Sequence, residues 1–540
     1  MKQIIAVLVL FSSLLSACGS APSLWGQAST PTPNVPYGSY HPVLVPATAV
    51  PTSTLQIKSP PQASPTLYKT NTPVVAVDSP TPPPSTSTSA PEDPPILYYS
   101  QSGDTLDAVA ARFAVGSGEI SSFQSLPKTR LIDPGTLLVI PDRIGEEIGP
   151  DVQIMPDTEI IFSATAIDFD VEEFVDEKGG ELSRYREYLS NGWNYGGQSV
   201  VRLAQENSIN PRILLGVLDY ESNWVSGEPK DKFHIQYQMG HEEQYKAGIF
   251  RQLTWATNQL FMGYYGWRSG TLTYYTFPDG EILRIAPDLN AGTVAVQYIF
   301  SKLYNRDEWQ IVLDPDNPDG FLALYTQLFG DPWLRDQTIG PIFPPGLTQP
   351  TMELPFEPNR EWNYSGGPHG AWEHDGPLAA IDFAPTSNRS GCGLSDKWIT
   401  ASMSGLVIRS DRGVVVIDED GDGHEQTGWN LMYLHVATTD RIPLNTWVDM
   451  DDRIGRASCE GGVSTGTHMH MARKYNGEWV LADGNTPFPF ILSGYVAFNG
   501  KEPYDGTLVK GDITIKADPY GSSFSAIMRE PDDIDPNEAQ

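Results

Sequence analysis

The run Ser464-Thr465-Gly466-Thr467-His468-Met469-His470 sets two imidazoles two residues apart in an apolar, β-prone stretch. Side chains at i and i+2 of a strand share a face, so His468 and His470 look into one space. Neutral imidazoles placed this way suit one Zn²⁺ with one catalytic group beside it. Six of the nine histidines fall between His369 and His470. Such clustering in an acidic chain favours a site over scattered surface positions. A carboxylate and further histidines lie upstream, which makes a metal-centred hydrolase a concrete expectation. Two other patterns carry chemistry. Glu221-Ser222 closes an apolar helical run that opens at Asn210-Pro211. Asp418, Asp420 and Asp422 offer oxygens at alternate positions, like the start of a Ca²⁺ loop. No glutamate follows where an EF-hand closes its cage, so a solvated turn between strands competes with a Ca²⁺ site.

The chain that must position these groups has 540 residues, enough for several domains. Its net charge of -32 excludes a nucleic-acid partner, which would call for a basic footprint. It also disfavours adsorption to anionic lipid, so attachment needs a specific device. Lys2 precedes the apolar run Ile4 to Leu15, too short for a comfortable membrane span. The run ends in Leu15-Ser16-Ala17-Cys18, which resembles the lipobox of bacterial lipoproteins. That resemblance implies a signal peptide at 1–18, acylation of Cys18, and export with a lipid anchor at the outer face of the cell membrane. Only Cys392 and Cys459 then remain, and two cysteines in an exported chain suggest one disulfide. Closing that loop would stabilise by roughly 2–4 kcal/mol. Residues 19–95 are rich in Pro, Ser, Thr and Ala. They cannot bury enough apolar surface to fold and read as a disordered spacer that gives reach.

The fold class expected beyond the spacer is multidomain. Residues 96–142 run from Tyr98-Tyr99-Ser100 through Ser102-Gly103-Asp104-Thr105-Leu106 to Leu131-Ile132-Asp133-Pro134-Gly135. This segment resembles a LysM module, a βααβ unit that binds N-acetylglucosamine-containing glycans such as peptidoglycan. Residues 150–345 are mainly α. Segments 181–206, 211–222, 244–264 and 290–304 carry apolar residues at three- and four-residue spacing. The Glu221-Ser222 edge resembles that of goose-type lysozymes and lytic transglycosylases, in which the glutamate is the general acid. The later motifs match only loosely, and a non-catalytic helical domain stands beside that reading. Residues 350–497 read as β, with strands at Thr400–Ile408, Gly413–Ile417 and Trp429–Val436 between Asp/Gly turns. Residues 498–540 read as an extension, with strands near Leu508 and Ile513–Ile515 and then a polar, disordered tail.

Three ordered motifs in the β region carry a further resemblance. They are Ala380-Ile381-Asp382-Phe383, Tyr433-Leu434-His435 and the closing Ser464–His470 run. The region resembles lysostaphin-like and beta-lytic zinc endopeptidases, which implies a mainly antiparallel β domain of the duplicated hybrid motif type. The resemblance implies that Asp382 and His470 bind one Zn²⁺, with His435 and His468 as catalytic groups beside the open position. The lysostaphin-like pattern puts the first ligand four residues before the aspartate, where this chain has Leu378. His369 and His374 remain, and the glycine-flanked His369 fits the beta-lytic pattern better. The expected function is a cell-wall hydrolase that cuts peptide bonds in peptidoglycan stems or cross-links. The alternatives are a non-catalytic peptidoglycan-binding regulator of other hydrolases, or glycan cleavage through Glu221.

Overall fold

The computed structural model describes residues 94–189, 192–372, 376–386 and 391–531. The expectations for 1–18, for Cys18, for most of the spacer and for His374 lie outside the described residues. All described residues fall in one compact unit, Ser87–Gln540. Among them, no helix is long and apolar enough to cross a membrane.

At the N-terminal end, strand Ile96–Tyr99 pairs antiparallel with Leu137–Ile140. Helix Leu106–Arg112 lies between them, and the Thr105 hydroxyl accepts from the Ala108 N–H at its start. The second helix of a βααβ unit does not form. Residues Ser117–Glu119 make a single 3₁₀ turn, and Ser121–Ser122 adds a third strand. Ser121, Ser122, Ser125 and Pro127 are poor helix formers, which accounts for the loss. This small unit does not swing free. Arg112, buried and paired with Asp104 at 2.7 Å, donates to the Trp267 carbonyl, and Arg284 donates to the Arg112 carbonyl.

The helical region is built on Pro211–Ser222, Ile249–Ser269 and Ala291–Ser301. Asn210 caps the first, with proline at the opening position where a missing N–H costs nothing. The helix expected over 181–206 is broken. It becomes a short helix Glu181–Arg184, a hairpin of Arg186–Leu189 with Gly192–Tyr195, and a helix Gly196–Asn207. The dipeptide Asn191-Gly192 is a hairpin signal in the sequence, and Gly192, at φ +111, pairs with Leu189.

The C-terminal sheet is antiparallel and nine-stranded. Trp429–Leu434 pairs with Met469–Tyr475, which pairs with Leu378–Pro385, which pairs with Glu361–Gly370. On one face Val415, Ile417, Leu431, Tyr433, Met469, Met471, Ile381 and Phe383 form the sheet's own core. On the other face Val414, Val416, Met432, Leu434, Ala472 and Ala380 join the helices in a second apolar cluster. Two regions expected as separate domains therefore share a core. Across that junction Tyr264 donates to buried Glu478 at 2.7 Å, Arg268 pairs with Glu478 at 3.0 Å, and the Trp479 indole donates to the Asn207 carbonyl.

The expected boundary at 497/498 falls inside a strand, Tyr495–Asn499. That strand pairs with Gly506–Lys510, which pairs with Ile513–Lys516. Ala526–Met528 then adds an edge strand beside Glu361–Gly370. The extension is thus woven into the β region. Its last residues, 532–540, lie outside the described residues.

Candidate metal centre

His470 sits opposite both Leu434 and Asp382 in the ladder, and Asp382 sits opposite Gly366. Pleat alternation puts His470 and Asp382 on the face that carries Ala472 and Ala380. The helices cover one end of this face, and the histidine–aspartate cluster lies at the other. His369 arrives from the end of Glu361–Gly370, where three register shifts bend the strand. A Cβ on Gly366 would come within 2.7 Å of Asp382 Oδ2. Glycine there makes room for the carboxylate.

The structure brings His369, Asp382 and His470 together. His369 Nε2 is 3.0 Å from His470 Nδ1 and 3.3 Å from Asp382 Oδ1, and His470 Nδ1 is 3.1 Å from that same oxygen. The other ring nitrogens are committed: His369 Nδ1 donates to the Gly367 carbonyl at 2.8 Å, and His470 Nε2 donates to the Ala371 carbonyl at 2.9 Å. Two lone pairs and a carboxylate oxygen therefore face one point. Asp382 Oδ1 is buried with no hydrogen-bond donor of its own. Zn–N and Zn–O bonds of about 2.0–2.1 Å in a tetrahedron put ligand atoms about 3.3 Å apart. The observed spacings fit such an ion, and these residues can hold one.

Burial disfavours a charged His369, but the Asp382 carboxylate outweighs it and holds the imidazole above its ordinary pKa. For His470 burial wins and pushes the pKa down. Burial raises the Asp382 carboxyl, yet the surrounding histidines more than offset it and hold the group well below the usual carboxylate range. An ionised carboxylate is the form that ligates.

His435 and His468 flank the cluster, with ring centroids 4.4 Å apart. His435 has φ +65, a left-handed conformation that a side chain of this size adopts only under constraint. Its Nδ1 donates to the Glu460 carbonyl at 3.0 Å, and His468 Nδ1 donates to the Gly466 carbonyl at 2.8 Å. Both Nε2 atoms are left as lone pairs. His468 Nε2 lies 3.8 Å from Asp382 Oδ2, with the His468 side chain 18% exposed on the open side. Burial, aided by His468 and His470, pushes the His435 pKa down to about 3.

Leu378 faces Gly370 across the ladder, so the third metal-facing group reaches the cluster from the neighbouring strand. Cys392 and Cys459 are bonded, Cα to Cα 5.4 Å. Beside this bridge Thr467 donates from its N–H and hydroxyl to the Gly391 and Gly393 carbonyls, which fixes the start of the His468 segment. Tyr504, from the extension, stacks on His369 at 4.0 Å between centroids. Sequence reasoning missed Tyr504, and no local pattern marks it. The dense Gly366-Gly367-Pro368-His369-Gly370 run was the available signal for the carbonyl that orients His369.

Glu221 is not part of this cluster. It is buried in the helical region, accepts from the Tyr304 hydroxyl at 3.0 Å, and is pushed up to about 7 by burial. A cavity of about 850 Å³ lies between residues 124–136, 343–350 and 484–491, away from both Glu221 and the histidines.

With this geometry in place, similarities to known proteins are informative. The family model described as the LasA N-terminal domain matches residues 153–342, the helical region. Protease LasA of Pseudomonas aeruginosa (strain UCBPP-PA14) is 25% identical over 352 residues, 62% of this chain and 76% of that protein. The chain is thus similar to LasA in sequence, and to beta-lytic metalloendopeptidases as well. The beta-lytic metalloendopeptidase of Lysobacter enzymogenes is 26% identical over 145 residues, 27% of this chain and 77% of that protein. Among solved structures, the deep-sea M23 metalloprotease pseudoalterin is 24% identical, covering 32% of this chain and 96% of that chain with a TM-score of 0.26.

Proposed function

We propose that this chain is an exported zinc endopeptidase that cuts peptide bonds in peptidoglycan stems or cross-links. The observation that carries the reading is the trio His369 Nε2, Asp382 Oδ1 and His470 Nδ1, each 3.0–3.3 Å from the others, with the second nitrogen of both rings donating to a backbone carbonyl. Two imidazoles and one carboxylate leave a fourth position open, as catalytic rather than structural zinc requires. A zinc ion held by His369, Asp382 and His470 would lower the pKa of its water and polarise the scissile carbonyl. The chain supplies the rest. His435 Nε2 and His468 Nε2 present lone pairs beside the open position. One accepts the proton of the attacking water, and the protonated imidazole then hydrogen-bonds the developing oxyanion or returns the proton to the leaving amine. The backbone carbonyls of Glu460 and Gly466 keep both rings turned for this work.

The lipobox-like Leu15-Ser16-Ala17-Cys18 supports a lipid anchor, and the proline-rich 19–95 supports a spacer. The LysM-like unit at 96–142 supports glycan binding. Because Arg112 and Arg284 lock that unit to the helical region, reach comes from the spacer, and the glycan contact is held at a fixed place relative to the peptidase. Digestion of purified peptidoglycan by zinc-loaded protein, followed by mass spectrometry, tests the reading. New amine and carboxyl ends within stems or bridges are expected, abolished by a chelator. Release of reducing sugars that survives the chelator would instead locate the cut at Glu221.

A further inference from the structure

The hairpin loop joining Val414–Asp418 to Trp429–Leu434 holds a second cluster, separate from the histidines. Asp418, Asp420 and Asp422 each bring a carboxylate oxygen within 4.8 Å of the other two. Asp418 is 0% exposed. Its Oδ2 accepts from the Gly423 N–H at 2.9 Å, but its Oδ1 is buried with no partner. A buried carboxylate oxygen without a donor is costly, and native structures answer such atoms with a donor or a cation. The nearby bases are spent elsewhere. Arg409 and Lys474 both pair with part-buried Glu425, at 3.2 and 2.5 Å. Among the described residues, no basic side chain pairs with Asp418, Asp420 or Asp422.

The loop keeps these groups turned together. Asp420 Oδ1 accepts from the Asp422 N–H at 3.1 Å, Asp422 Oδ1 accepts from the His424 N–H at 2.8 Å, and the Thr427 hydroxyl donates to Asp422 Oδ2 at 2.6 Å. Gly428, at φ +58, lies where a Cβ would fall 2.4 Å from Asp420 Oδ2. Asp420 and Asp422 are exposed and Asp418 is not, so the trio runs from solvent to a buried carboxylate. The donors are all hard oxygens, with no imidazole or thiolate in the trio, which selects Ca²⁺ over zinc.

We propose that this loop binds one Ca²⁺ ion through Asp418, Asp420 and Asp422, with water completing the shell. The ion fastens a loop whose Glu425 holds Arg409 and Lys474, and Lys474 Nζ also reaches the Ser208 hydroxyl of the helical region at 3.3 Å. Calcium thereby stiffens the junction between helices and sheet without touching the peptidase chemistry.

Trp447 packs over the loop, its Cζ3 2.8 Å from where a Gly421 Cβ would be. Full-length, zinc-loaded protein purified without calcium is titrated with Tb³⁺, and luminescence is excited through tryptophan. Saturation at one ion per chain, displacement by Ca²⁺ but not by equimolar Zn²⁺, and a calcium-dependent rise in Tm are expected. Asp420→Asn with Asp422→Asn, both exposed, tests the site without opening the core; it should weaken binding by about tenfold or more with zinc content unchanged. Asp418→Asn should abolish binding. No saturable emission up to millimolar ion, equal emission in the double variant, or displacement by Zn²⁺ alone would each overturn the proposal.

Discussion

His369 and His470 each spend one ring nitrogen on a backbone carbonyl and turn the other toward Asp382. That division of labour fixes the tautomers and leaves only lone pairs at the shared point. Asp382→Ala or His470→Ala should therefore lose zinc and all hydrolysis, measured by elemental analysis and wall digestion. His435→Ala should keep zinc and lose turnover by about 10²–10⁴-fold, the usual worth of a positioned acid–base group. Gly366→Ala pushes a methyl to 2.7 Å from Asp382 Oδ2. It should weaken zinc by about 10–100-fold, as displaced supporting groups do, read by competition with a chromogenic chelator.

At the scale of elements, the strands that deliver the cluster were the readable part. Apolar patterning marked strands at 413–417 and 429–436, which the structure sets at Val414–Asp418 and Trp429–Leu434, and the spacing of His468 and His470 put them on one face. What the sequence hid was tertiary. The bent strand pair by which His369 joins Asp382 is not written locally, though its glycine-flanked run is, and Tyr504 joins from a chain segment far away with no local pattern. The hairpin inside 181–206 was written in Asn191-Gly192 but masked by apolar residues at helical spacing. Glu221 shows the same limit. Its place at the end of Pro211–Ser222 was legible, whereas its burial against Tyr304 was not. With its folded pKa at about 7 and its unfolded value near 4.5, the folded state is favoured by a protonated Glu221. Stability should therefore be greatest below pH of about 4.5 from this group and fall as pH rises to about 7, by about 3 kcal/mol. Glu221→Gln should flatten that fall, giving a higher Tm than wild type at alkaline pH. Breaking the Cys392–Cys459 bridge with serine should cost about 2–4 kcal/mol, seen in denaturant unfolding.

At the scale of the whole molecule, the helices and the sheet share one apolar cluster from Ile154 to Phe488. Arg268, Glu478 and Asp157 form a buried ion network across the junction, with Arg268 to Asp157 at 3.1 Å. Sequence composition separated these regions because a helical period gives way to a β period near residue 350, and periodicity does not say which faces meet. Calorimetry should show helices and sheet melting in one transition, and two well-separated transitions would contradict a shared core. Hydrolysis by this protein rests on a single cation held by His369, Asp382 and His470. X-ray absorption at the zinc edge of the purified, full-length protein reads that shell directly. It should show two imidazole nitrogens and oxygen ligands at about 2.0–2.1 Å, with no sulfur. A sulfur ligand, a single imidazole, or protein that retains no zinc would contradict it.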